Sequence, residues 1–297
     1  MKHDYSLSHL TVLSLTPPQV VDVAASAGYR YVGLRITRVT PQEVLYDLAR
    51  DRALMRETKA SLASTGLSVL DVELFRMDPA LEPEAFVPEL EAAAELGARH
   101  IIAQVPDPNR ERATERFARL CDLAKPLGIF VSLEFPHWTE TGNLAEAAKV
   151  VRAVNRTNAG ILVDMLHFGR SDSSIEELAA LPREWFRFAH VCDAAKEVPP
   201  TMAAIIRTAR DERQFPGEGG IDVCGILAAM PRDIPYALEI PRGADEGSGT
   251  ERGGASGGNR RAKPPRHTRL VACPHASATR GERHATGQDH AGGAHRL

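Results

Sequence analysis

The 297-residue chain has 43% hydrophobic residues, a formal net charge of -3 and a pI near 6.4. This length suits one large α/β domain or two small ones, and the charge gives no reason to expect nucleic acid or an anionic membrane as a partner. The N-terminus lacks a long apolar stretch, and four scattered cysteines without a CxxC pair are typical of reduced thiols. We therefore expect a cytoplasmic protein without nucleic-acid or membrane partners.

Strand and helix patterns alternate along the chain. Eight short aliphatic runs bounded by Gly, Pro or polar residues predict buried parallel strands at 10–13, 31–35, 68–74, 100–103, 129–134, 161–164, 186–191 and 235–240. Amphipathic segments between them predict helices at 17–28, 51–65, 84–96, 110–127, 144–154, 173–178 and 201–210. No GxGxxG follows the first strand. This order predicts a (β/α)8 TIM barrel rather than a Rossmann sheet.

The composition changes after residue 242. Residues 243–297 hold 11 of the 23 Gly and 5 of the 11 His but no Phe, Trp or Tyr. Such a segment cannot bury enough apolar surface to offset the entropy of ordering, so we predict a disordered tail. The barrel, 1–242, would then lack a regular eighth helix. A shift of the coding frame near residue 242 would explain this composition.

Four acidic or imidazole side chains stand at the ends of predicted strands. They are Glu134, Asp164, His190 and Glu239. A charged residue at the C-terminal end of a buried strand has no packing role, and in an α/β barrel the active site is built at that end. Carboxylates and an imidazole that converge there would form a hard, oxygen-rich site for a divalent metal ion.

Five short motifs resemble one known family when read in order. They are Leu133-Glu134, Asp164-Met-Leu-His167, His190-Val-Cys-Asp193, Phe215-Pro-Gly-Glu-Gly-Gly-Ile-Asp222 and Leu238-Glu239. Over roughly residues 5–242 the chain resembles the sugar phosphate isomerase/epimerase family of the xylose isomerase-like TIM barrel superfamily. The resemblance implies that the four residues above ligate one divalent ion, commonly Mn²⁺, Mg²⁺ or Co²⁺, with Zn²⁺ as an alternative.

The resemblance also implies roles in catalysis and substrate binding. Glu134 and Glu239 would exchange protons with the carbon next to a substrate carbonyl, and His167 would contact a substrate hydroxyl. By their positions, Arg213, before the glycine-rich turn, is a candidate anchor for the substrate, and His137, just past strand five, is a candidate pocket residue. Asp193 is expected to orient one of the metal-ligating residues by accepting a hydrogen bond from it. In contrast, Asp71 and Glu73 alternate along strand three as a solvated strand edge would, and we leave them outside the site.

Several functions fit this resemblance. The first is isomerisation or epimerisation of a sugar, sugar phosphate or related hydroxyketone, a small polyhydroxy carbonyl compound. The second is dehydration of the inosose or 3-dehydroshikimate type at the same site. An inactive truncated barrel is the third, and a homodimer could cover the strands that an eighth helix would cover. An endonuclease IV-type repair enzyme is excluded, because only six His precede the tail and the net charge is negative.

Overall fold

Eight parallel strands close into a barrel in chain order. The computed structural model of the protein describes residues 3–243. The strands are β1 (Tyr5–Leu7), β2 (Tyr31–Arg35), β3 (Ser68–Arg76), β4 (His100–Gln104), β5 (Phe130–Glu134), β6 (Ala159–Asp164), β7 (Ala189–Val191) and β8 (Tyr236–Leu238). Pairing of β1 with both β2 and β8 closes the sheet. The predicted TIM barrel is confirmed.

Helices surround the barrel. Within residues 3–243 the α-helices are α1 (Pro17–Ser26), α2 (Arg52–Thr65), α3 (Val87–Glu95), α4 (Arg110–Ala124), α5 (Leu144–Val154), α6 (Met165–Gly169), α7 (Ile175–Ala180), α8 (Met202–Asp211) and α9 (Val223–Ala229). Local chemistry sets their ends. The Asp51 carboxylate accepts the first free N–H groups of α2, and Gly66 ends that helix with a φ of 73°.

Apolar side chains form two clusters on the two faces of the sheet. The larger lies between strands and helices. The smaller fills the barrel interior with six strand residues, Tyr31, Leu70, Leu74, Ile102, Leu162 and Ala237, and with Phe188, which directly precedes β7. Because strand side chains alternate between faces, the interior packing leaves the C-terminal strand ends as the place where polar side chains gather.

Two parts of the predicted element order are wrong. The first strand is Tyr5–Leu7, and residues 9–12 form a 3-10 helix instead. The true first strand is only three residues long and includes Ser6, so its sequence shows no apolar run. The apolar run at 10–13 overlaps the 3-10 helix, which is attached to the barrel by a hydrogen bond from the Thr11 hydroxyl to the Leu238 carbonyl. The short helices α6 and α9 are not predicted from the sequence.

The predicted tail lies, apart from Gly243, outside the residues that the structure describes. Across residues 3–243 no helix combines the length and hydropathy needed to cross a membrane. Cys121 and Cys192 are buried free thiols as expected.

Candidate metal centre

The four predicted ligands meet at the C-terminal end of the barrel. Glu134 and Asp164 are the last residues of β5 and β6, His190 lies in β7, and Glu239 directly follows β8. Sheet register brings them together, since His190 pairs with Asp164 on one side and with Ala237 on the other. All four are buried, and one ligand atom from each lies within 4.8 Å of the others. We call these four residues the ligand cluster.

One edge of the His190 ring faces the three carboxylates. Its Nδ1 lies 3.1 Å from Oε2 of Glu239, 3.8 Å from Oδ2 of Asp164 and 3.9 Å from Oε1 of Glu134. Burial opposes a charge on this imidazole, but the carboxylates, Glu239 foremost, raise the pKa of His190 to about 10. The donor set of three carboxylate oxygens and one imidazole nitrogen fits a divalent metal ion.

Arg213 lies inside the cluster. Its Nη1 is 2.6 Å from Oδ2 of Asp164 and 2.9 Å from Oε2 of Glu239, and its Nε donates to the Ala209 carbonyl. Burial opposes ionisation of Glu239, yet the charges of His190 and Arg213 hold the pKa of this carboxyl well below its usual range. The guanidinium therefore supplies part of the positive charge that the carboxylates require. Its predicted contact with a substrate stays a prediction.

Neighbouring side chains orient the two candidate catalytic carboxylates. Gln104, at the end of β4, donates from Nε2 to Oε2 of Glu134 over 2.6 Å. Ser8, directly after β1, donates from Oγ to Oε1 of Glu239 over 3.1 Å. Burial, then repulsion by Glu239 and Asp164, raises the pKa of Glu134 to about 8. A cation between these crowded carboxylates would stabilise their ionised form.

Asp164 combines a structural and a chemical task. Its Oδ1 accepts the backbone N–H groups of Leu166 and His167 at the start of α6, as a helix N-cap does. Its Oδ2 faces Arg213 and His190. One carboxylate thus holds the helix that carries His167 and presents its second oxygen to the cluster.

The predicted substrate-binding histidines adjoin each other at the cavity mouth. Nδ1 of His137 lies 3.4 Å from Nδ1 of His167, and Trp138 packs edge-on against both rings. Burial lowers the pKa of His167 to about 3 and that of His137 to about 4, so both rings are neutral. The cavity beside the ligand cluster is lined by Arg35, Glu73, Gln104, Glu134, Trp138, His167, Arg213 and Glu239. His137 does not line this cavity, but its neighbour Trp138 does.

The interpretation of Asp71 and Glu73 as a solvated strand edge is wrong. They are 1% and 2% exposed, respectively. Glu73 lies 3.5 Å from Nε of Arg35, and both side chains line the cavity. The rule that found the ligand cluster would also have found Arg35 and Gln104, since each is the last, polar residue of its strand.

Asp193 has a different role from the predicted one. Its carboxylate accepts four backbone N–H groups, from Gly217 and Gly219 at Oδ2 and from Ile221 and Ala194 at Oδ1. A Cβ on Gly219 would collide with this carboxylate and with the Ala194 carbonyl. The glycine-rich segment 216–220 therefore folds around Asp193, which binds the loop and not a ligand.

Sequence comparison identifies the family. A family model described as xylose isomerase-like TIM barrel matches residues 21–255. The chain belongs to this family. An inosose isomerase from Bacillus licheniformis is 28% identical over 166 residues, 52% of this chain and 56% of that protein. A 3-dehydroshikimate dehydratase from Pseudomonas aeruginosa is 27% identical over 244 residues, 77% of this chain and 36% of that protein. The chain thus matches about half the length of the first relative and about a third of the second.

Structural comparison agrees on the fold. A crystal structure of the IOLI protein, solved with a bound zinc atom, superimposes with a TM-score of 0.67 at 20% identity, covering 80% of this chain and 89% of that one. This structural match confirms the barrel fold. The inosose isomerase and the 3-dehydroshikimate dehydratase are both enzymes. The resemblance read from the five motifs is confirmed.

Proposed function

We propose that the protein is a divalent-metal-dependent isomerase or epimerase that acts on a sugar, sugar phosphate or related hydroxyketone. The observation that carries this proposal is the ligand cluster, in which four buried donor atoms from four strands lie within 4.8 Å of one another. A single ion held there would supply a Lewis acid that polarises the substrate carbonyl. The relatives that isomerise an inosose support this reaction class.

The protein groups around the cluster fit proton transfer next to a carbonyl. Glu134 and Glu239 reach the centre from β5 and β8, and Gln104 and Ser8 orient one oxygen of each. In the proposed reaction, one carboxylate removes the proton and the other returns it on the opposite face. General acid–base transfer of this kind typically contributes about 10²–10⁴ in rate.

Substrate hydroxyls would contact groups at the cavity mouth. His167 lines the cavity as a neutral ring, which both donates and accepts hydrogen bonds. Trp138 packs beside it and offers an apolar face to the substrate. We propose His167 and Arg213, which line the cavity, as substrate-binding residues, together with His137, which contacts the His167 ring.

Dehydration is the second candidate. The match to the 3-dehydroshikimate dehydratase extends over 77% of this chain, farther than the match to the isomerase. The two reactions share the removal of a proton next to a carbonyl, and dehydration adds the loss of a β-hydroxyl. The hypothesis of an inactive truncated barrel is not supported by the sheet, because β1 pairs with β8 at three positions and closes the barrel.

Solvent exchange tests both candidates. Protein loaded with Mn²⁺ is incubated in D₂O with an inosose, 3-dehydroshikimate or D-allulose, and products are followed by NMR and by ultraviolet absorbance. Deuterium uptake without loss of water supports the isomerase, whereas an enone or aromatic product supports the dehydratase. E134Q and E239Q should each lose at least 100-fold in rate, and E140Q, which changes an exposed carboxylate after β5, should not. Full activity in E134Q would contradict the proposal.

A further inference from the structure

Buried polar groups without a described partner lie inside the barrel, next to the ligand cluster. They include Oγ of Ser6, both carboxylate oxygens of Asp71 and Nε2 of His190. Register places them on the same face of the sheet, because Ser6 and His190 both pair with Ala237 of the interior cluster. Buried polar groups nearly always have hydrogen-bond partners, so a group of them in one place requires an explanation.

The interior is shaped to hold the Asp71 carboxylate. Asp71 pairs with Gly33 on β2, two residues along the inward face from Tyr31. A Cβ on Gly33 would lie 2.8 and 2.9 Å from the two Asp71 oxygens. The carboxylate therefore occupies the space that a side chain at position 33 would fill.

The orientation of His190 leaves its second nitrogen facing away from the cluster. Nδ1 faces the three ligand carboxylates, at 3.1 to 3.9 Å. When Nδ1 of a neutral imidazole binds a metal ion, Nε2 carries the proton. Metal-binding histidines almost always donate this proton to a carboxylate, a carbonyl or a water, which fixes the ring and its tautomer.

Asp71 is the inward-facing carboxylate that can accept this hydrogen bond through a water. Its sheet partner Gly33 lies on the same inward face of the barrel as Ala237, the sheet partner of His190. No direct ion pair joins Asp71 and His190 among the described residues, and a bridging water is nearly as favourable as a direct hydrogen bond. Ser6 would give that water a third partner, and a buried water typically makes about three hydrogen bonds.

We propose that Asp71 is a positioning residue for the metal ligand His190: one buried water accepts a hydrogen bond from Nε2–H of His190 and donates one to Asp71, and this arrangement holds Nδ1 toward the ion. This inference rests on the proposed metal site. It assigns a function to a carboxylate that otherwise lies in the barrel core with no counter-charge from residues 3–243 within ion-pair distance.

Metal affinity and stability, measured together, test the inference. Zn²⁺ affinity by chelator competition should weaken about 10–100-fold in D71A, whereas the melting temperature of the metal-free protein should stay unchanged or rise, because the variant removes a buried carboxylate to which no described protein group donates a hydrogen bond. D71N keeps an acceptor oxygen and should fall between D71A and the wild type. In ¹⁵N-histidine NMR of the Zn²⁺-bound protein, the Nε2 proton of His190 should exchange with solvent faster in D71A.

D107N is the matched control. Asp107 is a buried carboxylate that binds Arg112 at 2.6 and 2.7 Å, so this change should lower the melting temperature and leave the Zn²⁺ affinity within about twofold. A D71A protein with wild-type Zn²⁺ affinity, or with an unchanged exchange rate of the His190 proton, would overturn the role of Asp71. A wild type that binds no Zn²⁺ would instead overturn the metal site itself.

Discussion

The two halves of the barrel mouth balance their buried charges differently. On the β2–β3 side, Arg35 contacts Glu73 at 3.5 Å and Glu43 at 3.4 Å, and Arg210 contacts Glu43 at 2.9 Å. Two guanidinium groups thus face two carboxylates. On the β5–β8 side, three carboxylates face the imidazole of His190, and only two of them, Asp164 and Glu239, contact the guanidinium of Arg213.

This difference separates a structural site from a binding site. A buried ion pair whose charges cancel within the protein needs nothing further. Excess buried negative charge must be reduced by protonation or by a bound cation, and the raised pKa of Glu134, about 8, reflects that need in the metal-free protein. The β5–β8 side is therefore the half whose energetics should respond to a metal ion.

Loss of Arg213 should have the largest effect on stability. In metal-free protein, R213M leaves Asp164 and Glu239 buried without their guanidinium and should lower the free energy of unfolding by about 4 kcal/mol. Saturating Mn²⁺ should restore much of this loss, because the ion supplies the missing positive charge. Urea unfolding with EDTA and with Mn²⁺ measures both values. If R213M lost the same free energy of unfolding with EDTA and with Mn²⁺, the charge balance on the β5–β8 side would not depend on a bound cation.

The equivalent change on the other side should not respond to metal. R35M leaves Glu73 without its only described counter-charge, whereas Glu43 keeps Arg210, so we expect a loss of about 3 kcal/mol. The same urea experiment should give the same loss with EDTA and with Mn²⁺. A clear rescue by Mn²⁺ would show that both halves share one charge balance.

The ligand side could be predicted from sequence, and the opposite side could not. Glu134, Asp164 and Glu239 directly follow short runs that are mostly apolar, so a charge there stands out. Asp71 and Glu73 alternate with apolar residues, and alternation shows that a strand has two faces without showing which one is solvated. In this barrel the polar face points inward, and that follows only from closure of the sheet.

Short elements also escaped prediction for physical reasons. β1 has three residues, and it is fixed by pairing with β2 and β8 rather than by its own pattern. Ser8 was missed for the same reason, since its position after β1 depends on that strand. The helix α6 is five residues long and begins directly after its N-cap Asp164, whose carboxylate could be assigned from sequence to a cap or to a ligand, but not to both.

The pH dependence of stability should change sign when metal binds. In the metal-free protein the pKa values of Asp71, Glu134 and His190 are raised to about 7, 8 and 10. The folded state then holds more protons than the unfolded chain, so stability should fall as pH rises from 6.5 to 9, by about 1.4 kcal/mol per pH unit for each extra proton. The buried histidines whose pKa values are lowered change the pH dependence of stability only below about pH 6.5, where the unfolded chain protonates them.

Metal binding reverses this trend because the ion displaces protons from Glu134 and His190. The affinity should therefore rise with pH, and Tm at fixed Mn²⁺ should rise over the range in which metal-free Tm falls. Thermal unfolding at pH 6.5, 7.5 and 8.5 with EDTA or Mn²⁺ provides the comparison. Parallel curves in the two conditions would contradict the assignment of Glu134 and His190 as ligands.

The smallest expected effect concerns a contact that joins the two halves. Ser8, next to β1, donates to Oε1 of Glu239, so S8A should cost about 1 kcal/mol of stability. If this hydrogen bond orients Glu239 as a ligand, Mn²⁺ affinity should weaken several-fold as well. T11A is the matched control, because Thr11 bonds the neighbouring backbone of Leu238 and Ile240 and not the carboxylate. Equal Mn²⁺ affinities in S8A and the wild type would show that β8, His190 and Arg213 suffice to place Glu239, and that the β1 side contributes packing alone.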